Sequence, residues 1–560
     1  MLDENTRQKI TRAEEEWIKK VRKRYKNEEF KRTTRSEIEV KPVYHLGDVM
    51  DREKVDLSLP GQYPFTRGIY PIHYQYQPWM DEQIIGFGTP NQLRERMDHL
   101  LEEGGSKGYF GGEAYNIIFD QATYNGYDPD APEVQGTIGD VGVSICKTSD
   151  FETLFEGKDL GRTHVSLVDL FSSPELFALF VAAAERLGCP KEKLSGNLTN
   201  YLYDYIFLGY THYPARNCFK LIREVIKYCT EQIPLWNTLT VSEHNIGEAG
   251  ANAVQSVAYS MAVIIATIEE CVNAGLNPDD FVPRLGFHLR YGENFFEDIA
   301  KTRALRRMYA SVNKERFGCQ NLRSLQARIH AQSAGVCMTV QQPLNNLIRG
   351  SIATLSAVLS GVNGMTVDAY DEALGEPTEE AVTLAVRTSQ IIANETGVTW
   401  VSDPLGGSYY IEWLTDEIER RCYQIIEDIE QNGGLIACLE NDYLKNQTIE
   451  AAYKWRQSVE SGERVVIGVN KYISTEPDKT NVFQPDPEAE KRAIEDVVRH
   501  RQMRDNQRTR AALELVRSEA KKIKESSKGG KLMDYLVAAA HADATIGEMH
   551  STLTEVLGTR

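Results

Sequence analysis

The residues in this sequence best suited to chemistry lie in one polar stretch, 242–251, which contains His244, Asn245 and Glu248. The stretch follows a β-rich run and precedes a long helical pattern. In an α/β barrel, residues at the carboxyl end of a strand face the cavity where catalysis takes place, which makes this stretch a candidate active site. The alternative is that it is only the amino end of a helix, with Glu243 or Asn245 as the cap and Glu248 favoured by the helix dipole.

A barrel would position such a site, and the pattern between residues 90 and 405 predicts one. Short β-branched or aromatic runs alternate there with helical segments, which is typical of the α/β class and of a (β/α)8 TIM barrel. The eight predicted strands are 115–119, 164–168, 196–200, 238–242, 284–289, 327–332, 364–369 and 398–402.

Several residues predicted to face the barrel interior are small or polar, whereas barrel interiors are normally filled by bulky apolar side chains. We therefore expect a hollow barrel with a ligand along its axis. One polar core residue is common and would show nothing alone. The residues concerned are Asn116, Ser166, Asn197, Thr199, Gly286, His330 and Gln332.

Composition divides the chain into three segments. Residues 1–59 form a charged N-terminal extension with few apolar residues, which we expect to dock on a partner because it cannot build a core alone. Residues 60–405 form the barrel. Residues 406–560 form a helical C-terminal region, with helices predicted at 415–432, 449–462 and 488–526 and in a final amphipathic segment.

Charge and cysteine content exclude several classes of protein. A net charge of −18 disfavours nucleic acid as a partner. No signal-peptide core or apolar run of about 20 residues is evident, which predicts a soluble cytoplasmic protein without membrane contact. The nine cysteines contain no CxxC pair, so we expect reduced thiols. No metal-binding motif is present, and we expect no metal ion.

Nine runs of the sequence resemble, in order, the large catalytic subunit of the methylmalonyl-CoA mutase family over residues 60–475. The family comprises adenosylcobalamin-dependent acyl-CoA mutases, isomerases in which the CoA chain threads a hollow barrel. The resemblance implies radical isomerisation of the carbon skeleton of an acyl-CoA thioester. The runs are FDQAT (119–123), GYD (126–128), EKLSG (192–196), EAGA (248–251), NFF (294–296), IAK (299–301), DEA (371–373), DP (403–404) and IGVNKY (467–472).

The resemblance also implies roles for residues that match the family. The carboxylates Glu248 and Glu372 match residues that hold the adenosine of the cofactor, and we expect Val141 and Asp368 in the same site. The expected substrate cavity combines residues that match the CoA path with the inward-facing polar residues. Its members are Tyr70, Asn116, Ser166, Asn197, Thr199, Arg284, His330 and Gln332.

Three positions of the acyl pocket depart from the family. Ile84 replaces the tyrosine that wedges the cofactor, Gly209 replaces the arginine that pairs with the substrate carboxylate, and Asn245 replaces the thioester-binding histidine. His244 lies one position earlier, where methylmalonyl enzymes have a tyrosine. We expect His244 and Asn245 to be the catalytic pair, and the departures argue against methylmalonyl-CoA as the substrate.

Two further polar residues, His288 and Arg290, alternate onto one face of the fifth predicted strand and lie near its reactive end. They are candidate anchors that replace the lost substrate contacts. The alternative is that Arg290 only forms an ion pair with a neighbouring carboxylate such as Glu243 or Glu82.

In this family a cobalamin domain supplies the lower cobalt ligand through an Asp-x-His-x-x-Gly motif. That motif does not occur in these 560 residues. The resemblance therefore implies a separate small cobalamin-binding subunit and a hetero-oligomer. The alternative is a barrel of this family that binds acyl-CoA, or serves a cobalamin-binding partner, without mutase activity.

Overall fold

Eight parallel strands form a ring in the computed structural model of the protein. Two of them are interrupted: β1 comprises Met80–Asp81 and Ile84–Ile85, and β5 comprises Trp236–Asn237 and Leu239–Ser242. The others are Ala114–Ile118 (β2), His164–Val168 (β3), Ser195–Leu198 (β4), Leu285–Tyr291 (β6), Arg328–Ser333 (β7) and Gly364–Thr366 (β8). The structure describes residues 4–24, 32–50, 58–105, 112–203, 207, 212–475, 480–526 and 528–559.

The two interrupted strands close the ring. The first half of β1 pairs with β8 and its second half with β2. In the same way, the first half of β5 pairs with β4 and its second half with β6. Two five-stranded parallel sheets thus share the chain segments of β1 and β5, and the prediction of a (β/α)8 barrel is confirmed.

Seven of the predicted strands match observed strands, with ends that differ by at most three residues. The eighth, 398–402, is wrong: these residues form turns and bends after the helix Glu379–Glu395. The missing strand is β1, which the sequence reading did not include. Its halves have two residues each, and the acidic residues Asp81 and Glu82 lie at its centre, a composition depleted in strands.

Helices connect the strands on the outside of the ring, because their apolar faces cover the outer surface of the parallel sheet. The main helices after β1 to β8 are, in order, Pro90–Glu102, Thr148–Leu154, Ser173–Arg186, Ala215–Gln232, Ala253–Asn273, Phe295–Glu315, Asn345–Ser360 and Glu379–Glu395. Short helices lie at Gln121–Tyr124, Glu243–Glu248 and Pro278–Phe281.

The helix Ala253–Asn273 begins at a capping box in which the Asn252 side chain accepts a hydrogen bond from the backbone N–H of Gln255. It is the one helix of the described segments that is long and apolar enough to cross a membrane. However, 78% of its apolar window is buried inside the protein. The helix packs against Tyr409–Gln431 and Ala215–Gln232, as expected of a core helix.

The C-terminal region is built from helices that pack back onto the barrel. Leu532–His541 lies against the barrel helix Ser173–Arg186, where residues 173–184 are all buried. At the same surface His550 Nδ1 lies 2.9 Å from Oε1 of the fully buried Glu175. The helices are Tyr409–Gln431, Leu435–Glu440, Tyr443–Glu460, Ala489–Met503, Asn506–Glu525, Leu532–His541 and Ile546–Leu557, so the predicted helix 488–526 is in fact two.

At the N-terminus the helix Glu4–Arg24 contacts the short helix Leu46–Met50, which packs on Tyr409–Gln431. An antiparallel pair, Arg32–Thr33 with Glu39–Val40, lies between them in the sequence. Docking of this extension on a partner stays a prediction. All nine cysteines are free thiols and seven are buried, which agrees with the expectation of reduced cysteines.

Candidate active site

A cavity of about 540 Å³ lies inside the barrel, and polar side chains from the strands line it. The prediction of a hollow barrel is therefore confirmed. We call this space the axial cavity. Of the residues expected to line it, the structure places there Tyr70, Asn116, Ser166, Asn197, Thr199, Arg284, Gly286, His288 and His330.

Hydrogen bonds between neighbouring strands fix the polar lining. The Asn197 amide donates to Ser166 Oγ over 3.1 Å and accepts a short hydrogen bond from Thr240 Oγ1. Thr199 Oγ1 donates to Asp169 Oδ1 over 2.8 Å. Because satisfied polar groups are stable inside a protein, the cavity can remain polar without collapsing.

Three arginines surround the amino end of the axial cavity: Arg162, Arg284 and Arg328. They precede or begin strands β3, β6 and β7. Burial, and repulsion from Arg323, lower the pKa of Arg284, which indicates a crowded cationic mouth. Tyr70 lies beside them and is 47% exposed. Clustered guanidinium groups bind phosphates, so this mouth suits an anionic nucleotide. Sequence reasoning missed Arg162 and Arg328.

Three histidines, His244, His288 and His330, come together towards the carboxyl end of the cavity. The rings of His244 and His288 are stacked, with centroids 4.7 Å apart, and those of His288 and His330 meet edge to face at 5.4 Å. Burial lowers the pKa of all three, and the mutual repulsion of their charged forms adds to the shift of His288 and His330. They are therefore neutral imidazoles at pH 7 and can donate or accept hydrogen bonds without bringing charge.

The polar stretch 242–251 is both the carboxyl end of β5 and the start of a helix, so the two readings of the sequence are compatible. The helix is Glu243–Glu248 and its cap is Ser242, whose Oγ accepts from the backbone N–H of Asn245. Neither Glu243 nor Asn245 is the cap. Asn245 is partly exposed, and its Oδ1 lies 3.4 Å from Nδ1 of His244. His244 meets the axial cavity through its stack with His288.

Arg290 lies beneath this helix and outside the residues that line the axial cavity. Its Nη2 donates to Glu293 Oε2 over 2.8 Å and to the backbone oxygen of Ala251. The side chain is 1% exposed. The alternative reading of Arg290 as an ion-pair residue is therefore favoured, although its partner is Glu293. Glu243 instead accepts from the Arg290 backbone N–H and pairs with Lys301.

A second cavity, of about 280 Å³, opens at the carboxyl ends of the strands and is rich in carboxylates. We call it the acidic cavity. Gln332, which was expected along the CoA path, lines this cavity instead and donates to Asp368 Oδ1 over 2.8 Å. The other expected residues found here are Ile84, Val141, Asp368 and Glu372, and the structure adds Glu376.

The carboxylates of the acidic cavity raise one another's pKa. Burial and the charge of Glu372 raise the pKa of Asp368 well above its usual range. Burial, Asp371 and Glu248 raise the pKa of Glu372 to about 7, although the residue as a whole is exposed. Carboxylates whose pKa is raised by burial and by like charge are typical of ligand sites.

Two carboxylate oxygens in this region, Glu248 Oε1 and Asp368 Oδ2, are buried and have no hydrogen-bond partner within the described segments. The other oxygen of Glu248 accepts from the backbone N–H of Val336 over 2.9 Å. Unpaired carboxylate oxygens are acceptors for hydroxyl groups. The acidic cavity thus fits a ligand with several hydroxyls, such as the ribose of an adenosyl group.

Because of this repulsion, Glu376→Gln is expected to stabilise the ligand-free protein at pH 8. Burial, followed by Glu372, raises the pKa of Glu376 to about 8. The contribution of the protonated Glu376 carboxyl to folding stability is fully present below the pKa of about 4.5 in the unfolded chain. It is lost as the pH rises through the folded-state pKa of about 8. We expect a gain of about 1–2 kcal/mol at pH 8, reduced by partial exposure, and no gain near pH 5.

Urea unfolding at the two pH values measures the Glu376→Gln effect, with Glu380→Gln on the exposed side of the next helix as the matched control. An equal gain at both pH values would exclude repulsion as its cause.

One predicted site residue lies outside the described segments: Gly209, at the position of the lost arginine. The neighbouring residues His212 and Tyr213 contact His550 of the C-terminal region.

Comparison with known proteins places these cavities in context. The family model "Methylmalonyl-CoA mutase" matches residues 33–559. The 2-hydroxyisobutanoyl-CoA mutase large subunit of Aquincola tertiaricarbonis is 36% identical over 93% of this chain and 91% of that protein. The methylmalonyl-CoA mutase of Escherichia coli is 35% identical over 92% of this chain and 70% of the relative. The mitochondrial methylmalonyl-CoA mutase of Homo sapiens is 33% identical over 93% and 68%.

Proposed function

Because the chain belongs to the methylmalonyl-CoA mutase family, an enzyme family of intramolecular transferases, we propose that it isomerises the carbon skeleton of an acyl-CoA thioester other than methylmalonyl-CoA, with adenosylcobalamin as cofactor. The observation that carries the proposal is the succession of a cationic mouth, a polar axial cavity and an acidic cavity along one barrel. This order of charges matches phosphates, a polar pantetheine chain and a hydroxyl-rich adenosyl group.

The axial cavity would bind the CoA chain. Arg162, Arg284 and Arg328 at its mouth provide cations for the phosphate groups, and Tyr70 offers an exposed aromatic face to the base. Further in, Asn197 and Ser166 provide amide and hydroxyl groups for the pantetheine amides. The neutral imidazoles of the histidine group would then contact the acyl end.

Glu248, Asp368 and Glu372 would hold the adenosyl hydroxyls of the cofactor, and Val141, which is 53% exposed, would cover its apolar surface. Bound adenosylcobalamin supplies radical chemistry that the protein's own side chains do not. The contribution of this chain is to orient the thioester and to exclude water from the reacting atoms. His244 and Asn245, at the carboxyl end of β5, lie where they can position the acyl group.

The large-subunit name of the Aquincola relative, which matches this chain over 91% of its own length, supports a small cobalamin-binding subunit as partner, with the two chains in a cytoplasmic hetero-oligomer. That subunit would supply the lower cobalt ligand, and the N-terminal extension would dock on it. The same relative's substrate supports a branched, uncharged acyl group, a choice that also agrees with Ile84 in the acidic cavity.

A second candidate function is an acyl-CoA-binding barrel without mutase activity, favoured by asparagine at position 245. The retained carboxylates Glu248 and Glu372 favour the enzyme, because a protein that only bound acyl-CoA would gain nothing from the repulsion in the acidic cavity.

The test is reconstitution. We expect the purified chain to bind CoA esters without retaining cobalamin tightly, and to isomerise one of a panel of acyl-CoA esters when the small subunit and adenosylcobalamin are added. Mass spectrometry after chromatographic separation of the isomers measures turnover. Stoichiometric cobalamin retained by the chain alone would contradict the subunit assignment. CoA-ester binding without turnover of any ester would support the second candidate.

A further inference from the structure

Among the described residues that line the axial cavity, two carboxylic acids have no part in the proposed function: Glu113 at its mouth and Glu82 at the centre of β1. Glu82 is 3% exposed and lines the cavity, as does Met80 before it. Ile84, two residues further along the same face of the strand, lines the acidic cavity. Glu82 therefore lies at the inner end of the axial cavity, where the acyl end of a CoA ester would be.

Two histidines flank the carboxyl group, one on each oxygen. His164 Nε2 lies 3.7 Å from Oε1, and His330 Nδ1 lies 3.7 Å from Oε2. Both distances exceed that of a good hydrogen bond, and Oε1 has no hydrogen-bond partner in the part of the chain that is described. The carboxyl group thus retains its hydrogen-bonding capacity for a ligand.

The tautomer of His330 follows from its other neighbour, Thr366. The hydroxyl of Thr366 donates to the backbone oxygen of Glu82, which can only accept. Its oxygen must therefore accept from His330 Nε2–H over 2.8 Å. In the neutral ring this leaves Nδ1 without a proton, 3.7 Å from Oε2 of Glu82. An ionised Glu82 would face the Nδ1 lone pair with further lone pairs, which favours one proton on either Glu82 or His330.

The groups around the cluster decide which partner carries this proton. Asp81 precedes Glu82, His164 and His330 flank it, and beyond them lie His288 and Arg328. Burial and the neighbouring His244 and His164 lower the pKa of His330 to about 3. Burial and Arg328 lower the pKa of His164 to about 4.

The pKa of Glu82 shifts in the opposite direction. Burial, and next the charge of Asp81, raise the pKa of Glu82 to about 8. At pH 7 the cluster is therefore an uncharged carboxylic acid between two uncharged imidazoles.

We infer that Glu82 is a proton-bearing binding residue whose O–H donates a hydrogen bond to an uncharged acceptor at the acyl end of the substrate. This inference rests on the proposed function only for the identity of the ligand. The acceptor that every acyl-CoA carries is the thioester carbonyl. An ionised Glu82 would repel that oxygen, so binding of the thioester is lost as the proton leaves.

The test is isothermal titration of the chain without cofactor, at pH 7 and pH 9. The ligands are isobutyryl-CoA and S-isobutyl-CoA, the thioether with the same carbon skeleton and no carbonyl. We expect isobutyryl-CoA to bind about tenfold more weakly at pH 9, since one proton with a pKa of about 8 is then mostly lost. The thioether should bind equally at both pH values.

Two glutamate-to-glutamine variants distinguish the effect of Glu82 from that of Glu113, which also lines the cavity. Glu82→Gln, whose amide donates without titrating, should bind isobutyryl-CoA with the same affinity at both pH values. Glu113→Gln, at the mouth of the cavity, should retain the tenfold difference. A tenfold difference that persists in Glu82→Gln, or that also appears with the thioether, overturns the inference and leaves the proposed function intact.

Infrared difference spectra of the ligand-free protein between pH 7 and pH 9 test the proton directly. We expect the wild type to lose a protonated carboxyl band that Glu82→Gln lacks. Absence of this band in the wild type overturns the inference whatever the ligand. If the band is present but the wild type binds no CoA ester at pH 7, the proposed function is refuted and the protonation of Glu82 still stands. The thioester and thioether comparison on the wild type decides the matter if Glu82→Gln does not fold.

Discussion

Replacing Arg290 by alanine is expected to lower the free energy of unfolding by about 3 kcal/mol and to leave the affinity for an uncharged acyl-CoA unchanged. The side chain is 1% exposed and pairs with Glu293, and removing one partner of a buried pair typically costs about 3–5 kcal/mol. Arg35 also pairs with Glu293, which places the effect at the lower end of that range. Urea unfolding and titration with isobutyryl-CoA measure the two quantities.

The matched control is Arg284→Ala, on the chain segment that leads into the same strand, β6. Arg284 lines the mouth of the axial cavity, so its loss should weaken CoA-ester binding and change stability little. The opposite pattern for Arg290→Ala, with unchanged stability and lost turnover of an acidic substrate, would establish Arg290 as a substrate anchor.

Methylmalonyl-CoA is expected to be turned over at least about 100-fold less efficiently than the best uncharged acyl-CoA. A carboxylate without a paired cation in a dry pocket costs several kcal/mol, and about 3 kcal/mol corresponds to a 100-fold ratio of kcat/KM. The resemblance implies that Gly209 stands at the position of the family's arginine, and the candidate replacement, Arg290, pairs with Glu293. Competition between the two esters in one reaction, followed by mass spectrometry, measures the ratio.

Efficient turnover of methylmalonyl-CoA by both the wild type and Arg290→Ala would refute this selectivity. The double variant Ile84→Tyr/Gly209→Arg introduces the residues that the resemblance implies for the family. It should bring the kcat/KM for methylmalonyl-CoA closer to that for the uncharged acyl-CoA.

The barrel could be predicted for seven of its strands because short runs containing β-branched, aromatic or aliphatic residues alternate with helical segments. The prediction failed at β1, whose halves of two residues each are too short to show a period and whose centre is acidic. The strand forms because both of its neighbours, β8 and β2, offer hydrogen-bonding edges. That tertiary requirement has no signature in the local sequence.

The sequence identified the candidate site residues whose role follows from residue type. It missed the charged residues that enter the site only because the fold buries them. The polar lining residues and the carboxylates Asp368 and Glu372 were expected. Glu82, Arg328 and Glu376 were not placed in the site, since charged residues are normally found at the surface and only the fold encloses these three. For Arg290 the residue type allowed either an anchor or an ion-pair residue, and the contact with Glu293 favours the ion pair.

The contact between Glu175 and His550 can form only late in the synthesis of the chain. The two residues are 375 positions apart, which at about 5–20 residues per second is a delay of about 20–75 s between their appearance. For most of that interval the helix Ser173–Arg186 lacks the helix Leu532–His541 that covers it, and the carboxylate of Glu175 has no imidazole partner.

A nascent barrel therefore carries an uncovered apolar face until the helices Leu532–His541 and Ile546–Leu557 have left the ribosome. Chains stalled or clipped before His550 would present this face to chaperones and proteases.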